Sequence, residues 1–301
     1  MPKISKVLIL GCSGLVGHGI SIYLLKKNFI IIGTSSKKKI RSLNKNLKIY
    51  NNINLLNQSS FTKINKIVKV NKIQAIINCA ALVPNKQKQK EKDFYTKSLI
   101  INSLCYNEIY KICEQNKIKF LINISTPNVQ KINRENLWNY HNFYIFTKFL
   151  AEQYLSNLSN KKMNIVSLRI KSPYGYILNT KAVIPNFINT INKNKKIILQ
   201  GNLTLKRSFT FVEDIGAACE KIFINKLNGI KYCLGTDQIN IKNLSVLIKN
   251  ICSNKKNFFK NDYINLFNSY KFKDNMNPEK TPIIVGLHKI LNFNKKVKIF
   301  K

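Results

Sequence analysis

Apolar residues fall in short blocks along this chain, separated by polar stretches of a different rhythm. Val7-Leu8-Ile9-Leu10 is an unbroken apolar run ending in glycine, the pattern of a parallel strand buried on both faces. Ile20 to Leu25 continues as a helix, and Phe29-Ile30-Ile31-Ile32 reads as the next strand. Lys48-Ile49-Tyr50 is a third strand, a helix follows around Phe61 to Val70, and Ala75-Ile76-Ile77-Asn78 is a fourth strand. A helix over Ile100 to Glu114 leads to a fifth strand, Phe120 to Ile124. A long helix from Phe143 to Leu158 leads to a sixth, Ile165 to Arg169. Strand and helix in alternation predict an α/β protein with a doubly wound parallel sheet.

After Arg169 the rhythm changes. Pro173, Gly175 and Pro185 interrupt the chain, and the later elements shorten. The expected division is a sheet domain over 1–170 and a smaller α/β region over 171–301 that covers the carboxyl ends of the strands. One strand near 232–235, in Tyr232-Cys233-Leu234-Gly235, is expected to return to the main sheet.

Composition narrows the class. With 301 residues, 45% of them hydrophobic, the chain can bury a sizeable core, which excludes disorder. No stretch reaches the roughly 18 apolar residues of a membrane span. Met1-Pro2-Lys3-Ile4-Ser5 runs straight into a strand pattern, so no signal peptide is expected and the cytoplasm is the expected location. The seven cysteines (Cys12, Cys79, Cys105, Cys113, Cys219, Cys233 and Cys252) are odd in number and lack C-x-x-C spacing. That fits neither a disulfide framework nor a zinc site, and most sit in apolar runs as small hydrophobes.

A net charge of +38 invites a nucleic-acid or anionic-membrane reading. Lysine, however, is spread from Lys37-Lys38-Lys39 to Lys295-Lys296, and arginine is scarce. Asn makes up roughly one residue in seven and Ile is also heavy. All three share A/T-rich codons, so genome composition explains the charge, and neither nucleic acid nor membrane is expected as a partner. The three widely spaced histidines give no metal-site spacing.

Chemistry enters at the first turn. Gly11-Cys12-Ser13-Gly14-Leu15-Val16-Gly17 follows the first strand and opens the first helix. Glycines permit a tight turn, close approach of backbone to a pyrophosphate and close helix–strand packing, while the helix start offers free N–H groups. Gly11, Ser13, Gly14, Leu15, Val16 and Gly17 are therefore candidate dinucleotide ligands. At the end of the second strand stands Thr34-Ser35-Ser36-Lys37-Lys38-Lys39, with no carboxylate. An NAD site usually has one there; Ser35 and Lys37 suit a 2′-phosphate, so NADP is preferred over NAD.

Tyr144-Ile145-Phe146-Thr147-Lys148 places a phenol and an ammonium one helical turn apart. A nearby cation lowers a phenol's pKa, which suits proton transfer at a carbinol. Tyr23 and Lys27 share the spacing as helix surface, but Ser125-Thr126 closes the fifth strand just upstream of Tyr144. Thr126, Tyr144 and Lys148 form the candidate catalytic set.

Together these residues resemble the extended short-chain dehydrogenase/reductases, specifically the NAD-dependent epimerase/dehydratase family that acts on nucleotide-sugars. The likeness covers nearly the whole chain. It includes Ile76-Ile77-Asn78-Cys79-Ala80-Ala81 beside the cofactor, and Asn102, where the family has a helix asparagine supporting its proton relay. Ser167-Leu168-Arg169-Ile170-Lys171-Ser172-Pro173-Tyr174-Gly175 is similar to its R-x-x-N-x-Y-G segment. Val183-Ile184-Pro185 and Ile197-Ile198-Leu199-Gln200-Gly201 are similar to substrate-region pieces. Arg207-Ser208-Phe209-Thr210-Phe211-Val212-Glu213-Asp214-Ile215 is similar to R-D-F-x-x-V-x-D.

The resemblance implies a Rossmann fold and a nucleotide-sugar substrate. It implies that Thr126 bonds the sugar oxygen, Tyr144 is the acid/base, and Lys148 binds the nicotinamide ribose. Cys79, Ala80, Ala81, Asn102 and Pro173 would line the cofactor, and Asn54 and Leu55 its adenine end. Ser172 and Arg207 would contact substrate, Arg207 at the diphosphate. Five positions depart from the family: Asn54 for a frequent aspartate, Ser172 for the asparagine, Ser208 for the aspartate after Arg207, and Pro127-Asn128 for the Asp-Glu pair of sugar 4,6-dehydratases. The last makes dehydration unexpected. Lys271 or Lys273 is a candidate second phosphate contact.

His18 is read as helix surface or a phosphate contact, and His288 as structural. His141 is read at the substrate's border, and Trp138 as lining the pocket or packing on it. The expected function is a 4-keto-sugar reductase with NADP, a homodimer by resemblance. A nucleotide-sugar epimerase and a non-catalytic dinucleotide sensor are the alternatives.

Overall fold

The six apolar runs become six strands of one sheet in the computed structural model. It describes residues 4–42, 44–84, 93–132, 135–158, 162–178, 182–199, 201–235, 237–253, 268–269 and 280–296; Lys271 and Lys273 lie outside them. The strands are β1 (Lys6–Leu10), β2 (Ile30–Thr34), β3 (Leu47–Tyr50), β4 (Ala75–Asn78), β5 (Phe120–Ser125) and β6 (Asn164–Ile170). Short strands β7 (Pro173–Tyr174), β8 (Lys206–Ser208) and β9 (Thr210–Phe211) follow, then β10 (Gly229–Cys233), β11 (Asp237–Asn240) and β12 (Asn268–Ser269).

Seven strands join in the order β3-β2-β1-β4-β5-β6-β10, every pair parallel. The returning strand is β10, which starts three residues earlier than the sequence suggested and ends at Cys233. Gly235 has left the sheet. Its N–H donates to Thr210 Oγ1 at 3.1 Å, and a β-carbon there would lie 1.9 Å from the Phe209 carbonyl oxygen.

The helices are α1 (Leu15–Lys26), α2 (Gln58–Asn71), α3 (Phe94–Leu99), α4 (Cys105–Gln115), α5 (Tyr140–Asn157), α6 (Val183–Asn192), α7 (Val212–Asn225) and α8 (Ile241–Cys252), with a last helix, Ile283–Lys296. Between α3 and α4 the chain makes a π-helical turn, Ile100–Leu104. The helix expected from Ile100 thus begins at Phe94 and is interrupted.

Alternate strand residues face two cores. Val7, Ile9, Ile77, Ile122 and Leu168 point to a core shared with α1, α7, α6, α8 and the last helix. Leu8, Leu10, Ile76 and Leu121 point to a second core filled by α2, α4 and α5. This is the doubly wound Rossmann arrangement. β8, β11 and β12 form a small antiparallel sheet, and β7 pairs with β9.

Glu213 and Asp214, from the Val-Glu-Asp segment, fasten this architecture. Glu213 accepts from Lys26 Nζ at 2.9 Å and from the Tyr176 hydroxyl. Asp214 accepts from the Thr281 backbone N–H at 3.0 Å and its hydroxyl at 2.6 Å, ahead of the last helix. Among the described residues no helix is long and apolar enough to cross a membrane, and no group of three or more His, Cys, Asp or Glu side chains is placed to hold a metal.

Candidate active site

The glycine turn sits between the ends of β1 and β4. Gly11 has φ +74°, and a β-carbon there would lie 2.9 Å from the Ala80 backbone nitrogen. A β-carbon on Gly17 would lie 2.4 Å from the Gly11 carbonyl oxygen. Only glycine leaves this cradle open. At the start of α1 no side chain caps Gly14, and the first turn holds no acidic residue, so the positive helix end over Leu15, Val16 and Gly17 is available to an anion. Cys79, Ala80 and Ala81 follow β4, and Cys79 N–H donates to the Leu10 carbonyl at 2.9 Å. The turn therefore fits a dinucleotide pyrophosphate.

Ser13 reaches from the turn to the end of β2, where its hydroxyl lies 2.8 Å from that of Ser35. Ser35 is buried and also accepts from the Lys37 backbone N–H at 3.2 Å. Lys37, Lys38 and Lys39 are exposed beside it. Asn54 turns its side-chain oxygen onto the Leu56 N–H at 3.1 Å, beside buried Leu55.

At the carboxyl end of β5, α5 is pinned to the sheet. Lys148 is 3% exposed and donates through Nζ to the Ile124 carbonyl at 2.9 Å. Thr126, two residues further, opens a 3-10 turn, Pro127–Lys131; its hydroxyl oxygen accepts from Asn128 N–H at 3.3 Å. α5 packs on that turn, and Asn139 caps the start of α5. Tyr144 is half-buried one turn before Lys148. Among the described residues, neither hydroxyl of Thr126 and Tyr144 bonds the other.

Burial pushes the Tyr144 phenol up to about 12 and the Lys148 ammonium down to about 8, against the Glu152 carboxylate one turn on. Burial is the cause of the rise at Tyr144, where a lowering was expected. Tyr144 therefore keeps its proton at neutral pH.

Asn102, in the π-helical turn, is buried, and its carboxamide is taken up by protein. Its oxygen accepts from Leu82 N–H at 2.8 Å, and its nitrogen lies 3.1 Å from the Leu82 carbonyl, 3.0 Å from Ser98 Oγ and 3.1 Å from Thr147 Oγ1. It ties the loop after β4 to the helix carrying Tyr144. π-Turns recur at functional sites.

The proposed substrate contacts lie beyond β6. Ser172 has φ +44°, a left-handed conformation in which asparagine is enriched among non-glycine residues. Its carbonyl accepts from Thr210 N–H at 3.3 Å, with Pro173 beginning β7. Arg207 is exposed in β8 with no ion pair among the described residues, and Ser208 is buried with its hydroxyl unpaired among them. Trp138 stacks on Phe143 at 5.5 Å and is 69% exposed; His141 is exposed.

Sequence reasoning overlooked a chain of hydrogen bonds beside Thr126, buried at Ser125, Glu152 and Arg169 and reaching the surface at Gln130. Ser125 Oγ donates to Glu152 Oε1 at 2.5 Å. Arg169 donates to both Glu152 oxygens, at 3.0 and 2.6 Å, and to the Tyr232 hydroxyl at 2.6 Å. Gln130 Nε2 donates to that hydroxyl at 3.0 Å. The available signal was scarcity: only 13 carboxylates occur in 301 residues, and Glu152 stands four positions after Lys148.

Fold and glycine cradle together define a Rossmann protein built to accept a dinucleotide. The model of the NAD dependent epimerase/dehydratase family matches residues 7–235, and the chain belongs to that family. It is 31% identical over 121 residues to a dTDP-D-glucose 4,6-dehydratase of Dictyostelium discoideum, a match covering 40% of this chain but only 28% of that protein. The fold is similar to Bordetella bronchiseptica WbmH, solved in complex with NAD+ (TM-score 0.72, 16% identity, 97% of this chain and 99% of that one). It is also similar to the UDP-N-acetylglucosamine 4-epimerase of Methanobrevibacter ruminantium (TM-score 0.69, 21% identity, 84% of each chain).

Proposed function

We propose that this chain reduces a nucleotide-linked 4-keto sugar with NADPH. The observation that carries the reading is the meeting of elements at the carboxyl end of β5. There Lys148 is fixed to Ile124, Thr126 lies two residues on, and Tyr144 lies one turn up the same helix. Bound dinucleotide supplies the hydride. Gly11, Ser13, Gly14, Leu15, Val16 and Gly17 take the pyrophosphate. Ser35 and Lys37 take the 2′-phosphate, where an acidic residue would repel it. Cys79, Ala80, Ala81 and Pro173 border the cofactor, Asn54 and Leu55 its adenine end, and Asn102 holds the loop of that wall.

In this reading Thr126 orients the sugar oxygen by hydrogen bonding, and Tyr144 gives it a proton as the carbonyl is reduced. A phenol held near pKa 12 is protonated throughout the neutral range, as a proton donor must be. Lys148 supplies positive charge under the site. Ser172 and Arg207 contact the substrate, Arg207 at its diphosphate. Elimination of water is disfavoured: Pro127 and Asn128 follow Thr126, and Glu152 is committed to Arg169 and Ser125. A homodimer and a cytoplasmic setting belong to the same reading, by resemblance to the family alone.

The test is NADPH consumption, followed by absorbance, over a panel of nucleotide-4-keto-sugars. NADPH is expected to outperform NADH, and Tyr144→Phe to lower kcat by about 100-fold or more while leaving NADPH affinity intact. The rate should hold to about pH 7 and decline above about pH 8, as Lys148 loses its proton. Wild-type enzyme and Tyr144→Phe equally inert on every sugar would sink the reading. Inversion of a nucleotide-sugar without NADPH loss would replace it with epimerisation.

A further inference from the structure

Glu152 and Arg169 are 3% and 6% exposed, and the reading above gives them no task. Stability is a poor explanation for them, because a buried ion pair roughly breaks even against apolar residues of similar volume. Their placement is more informative. Ser125 stands opposite Arg169 across β5 and β6, and Tyr232 stands opposite Arg169 across β6 and β10. Three adjacent strands thus offer one row of side chains, and Glu152 closes it from α5.

The row grips the chain on both sides of Thr126. Ser125, just before it, donates to Glu152. Gln130, in the turn just after it, donates to the Tyr232 hydroxyl, which also accepts from Arg169. The other end of the device is α5, where Glu152 follows one turn after Lys148. Lys148 itself holds the Ile124 carbonyl, so residues 124, 125 and 130 are all tied to α5 directly or through the row.

We propose that the chain Ser125–Glu152–Arg169–Tyr232–Gln130 sets the position of Thr126 relative to the helix carrying Tyr144 and Lys148. Glu152, Arg169 and Tyr232 are positioning residues. The inference rests on the proposed function for what Thr126, Tyr144 and Lys148 do. Its physical basis is that reacting groups displaced by an ångström lose much of their rate, while a bidentate guanidinium–carboxylate pair fixes direction as well as distance.

The test uses Tyr232→Phe, which removes one hydroxyl and leaves the ion pair. Arg169→Lys, which keeps charge but loses the fork, is the harsher variant. Amide hydrogen exchange over 126–131 should speed up by about tenfold in either, with β1 and α2 unchanged. In Tyr232→Phe, kcat should fall about threefold to tenfold at unchanged KM for NADPH, and adding Gln130→Ala should cost no more. Unaltered exchange over 126–131 overturns the proposal, and so does unaltered kcat beside an active wild type. If the wild type turns over no sugar, the functional reading falls separately, and the exchange result alone supports or overturns the positioning role.

Discussion

His18 lies one residue past the third glycine of the turn, 5% exposed, its ring 6.1 Å from that of Tyr176. The sequence suggested a helix-surface residue. It is interior because α1 is wedged between the sheet and α7, so that Gly17 to Ile22 are all buried. Burial pushes its pKa down to about 4, from about 6.5 for the free side chain. The folded state thus prefers the neutral ring, and the unfolded state binds the extra proton between those values. His18 contributes stability that is complete above about pH 6.5 and is lost as pH falls through about 4, up to about 3 kcal/mol. Urea unfolding at pH 7, 5 and 4 should show a steeper loss in wild type than in His18→Gln. Equal slopes would assign the acid sensitivity elsewhere. At this scale the glycine turn and the Tyr144–Lys148 spacing were legible, being local in sequence. The proton affinities were not, because they depend on how deeply the fold buries each group.

Helices α1 and α7 pack through glycine. A β-carbon on Gly19 would fall 2.2 Å from Val212 Cβ, and one on Gly216 would fall 2.5 Å from Tyr23 Cβ. Alanine in a helix gains about 1 kcal/mol over glycine, but these neighbours are the roots of side chains and cannot swing aside. Gly19→Ala should therefore destabilise by about 1–3 kcal/mol net, measured by thermal or urea melting; a stabilised variant would show the helices free to separate. The strands were read well because apolar runs such as Val7–Leu10 and Ala75–Asn78 are buried on both faces. The region 94–115 was read less well. The π-turn adds a residue, so a 3.6-residue count from Glu114 loses phase before Phe94. Of Asn102's partners Ser98 is one turn away, but Leu82 and Thr147 are distant in sequence, and no local pattern announces them.

Across the whole molecule, 51 lysines and arginines stand against 13 carboxylates, a net charge of +38. Most positive charge is therefore uncompensated and repels itself, more in the folded state than in the expanded one. Raising NaCl from about 0.02 M to about 0.2 M shortens the screening length to below about 10 Å, so the melting temperature should rise by several degrees. A flat or falling value would mean the lysines are already spaced beyond mutual influence. That melt has a shape as well as a midpoint. The larger core takes Ile9, Ile77 and Leu168 from before residue 171 and Ile188, Leu247 and Leu287 from after it. The boundary near 170 divides the sequence but not the oil. Neither part can shed its partner without wetting its own interior, so heat should take the molecule apart in one cooperative step.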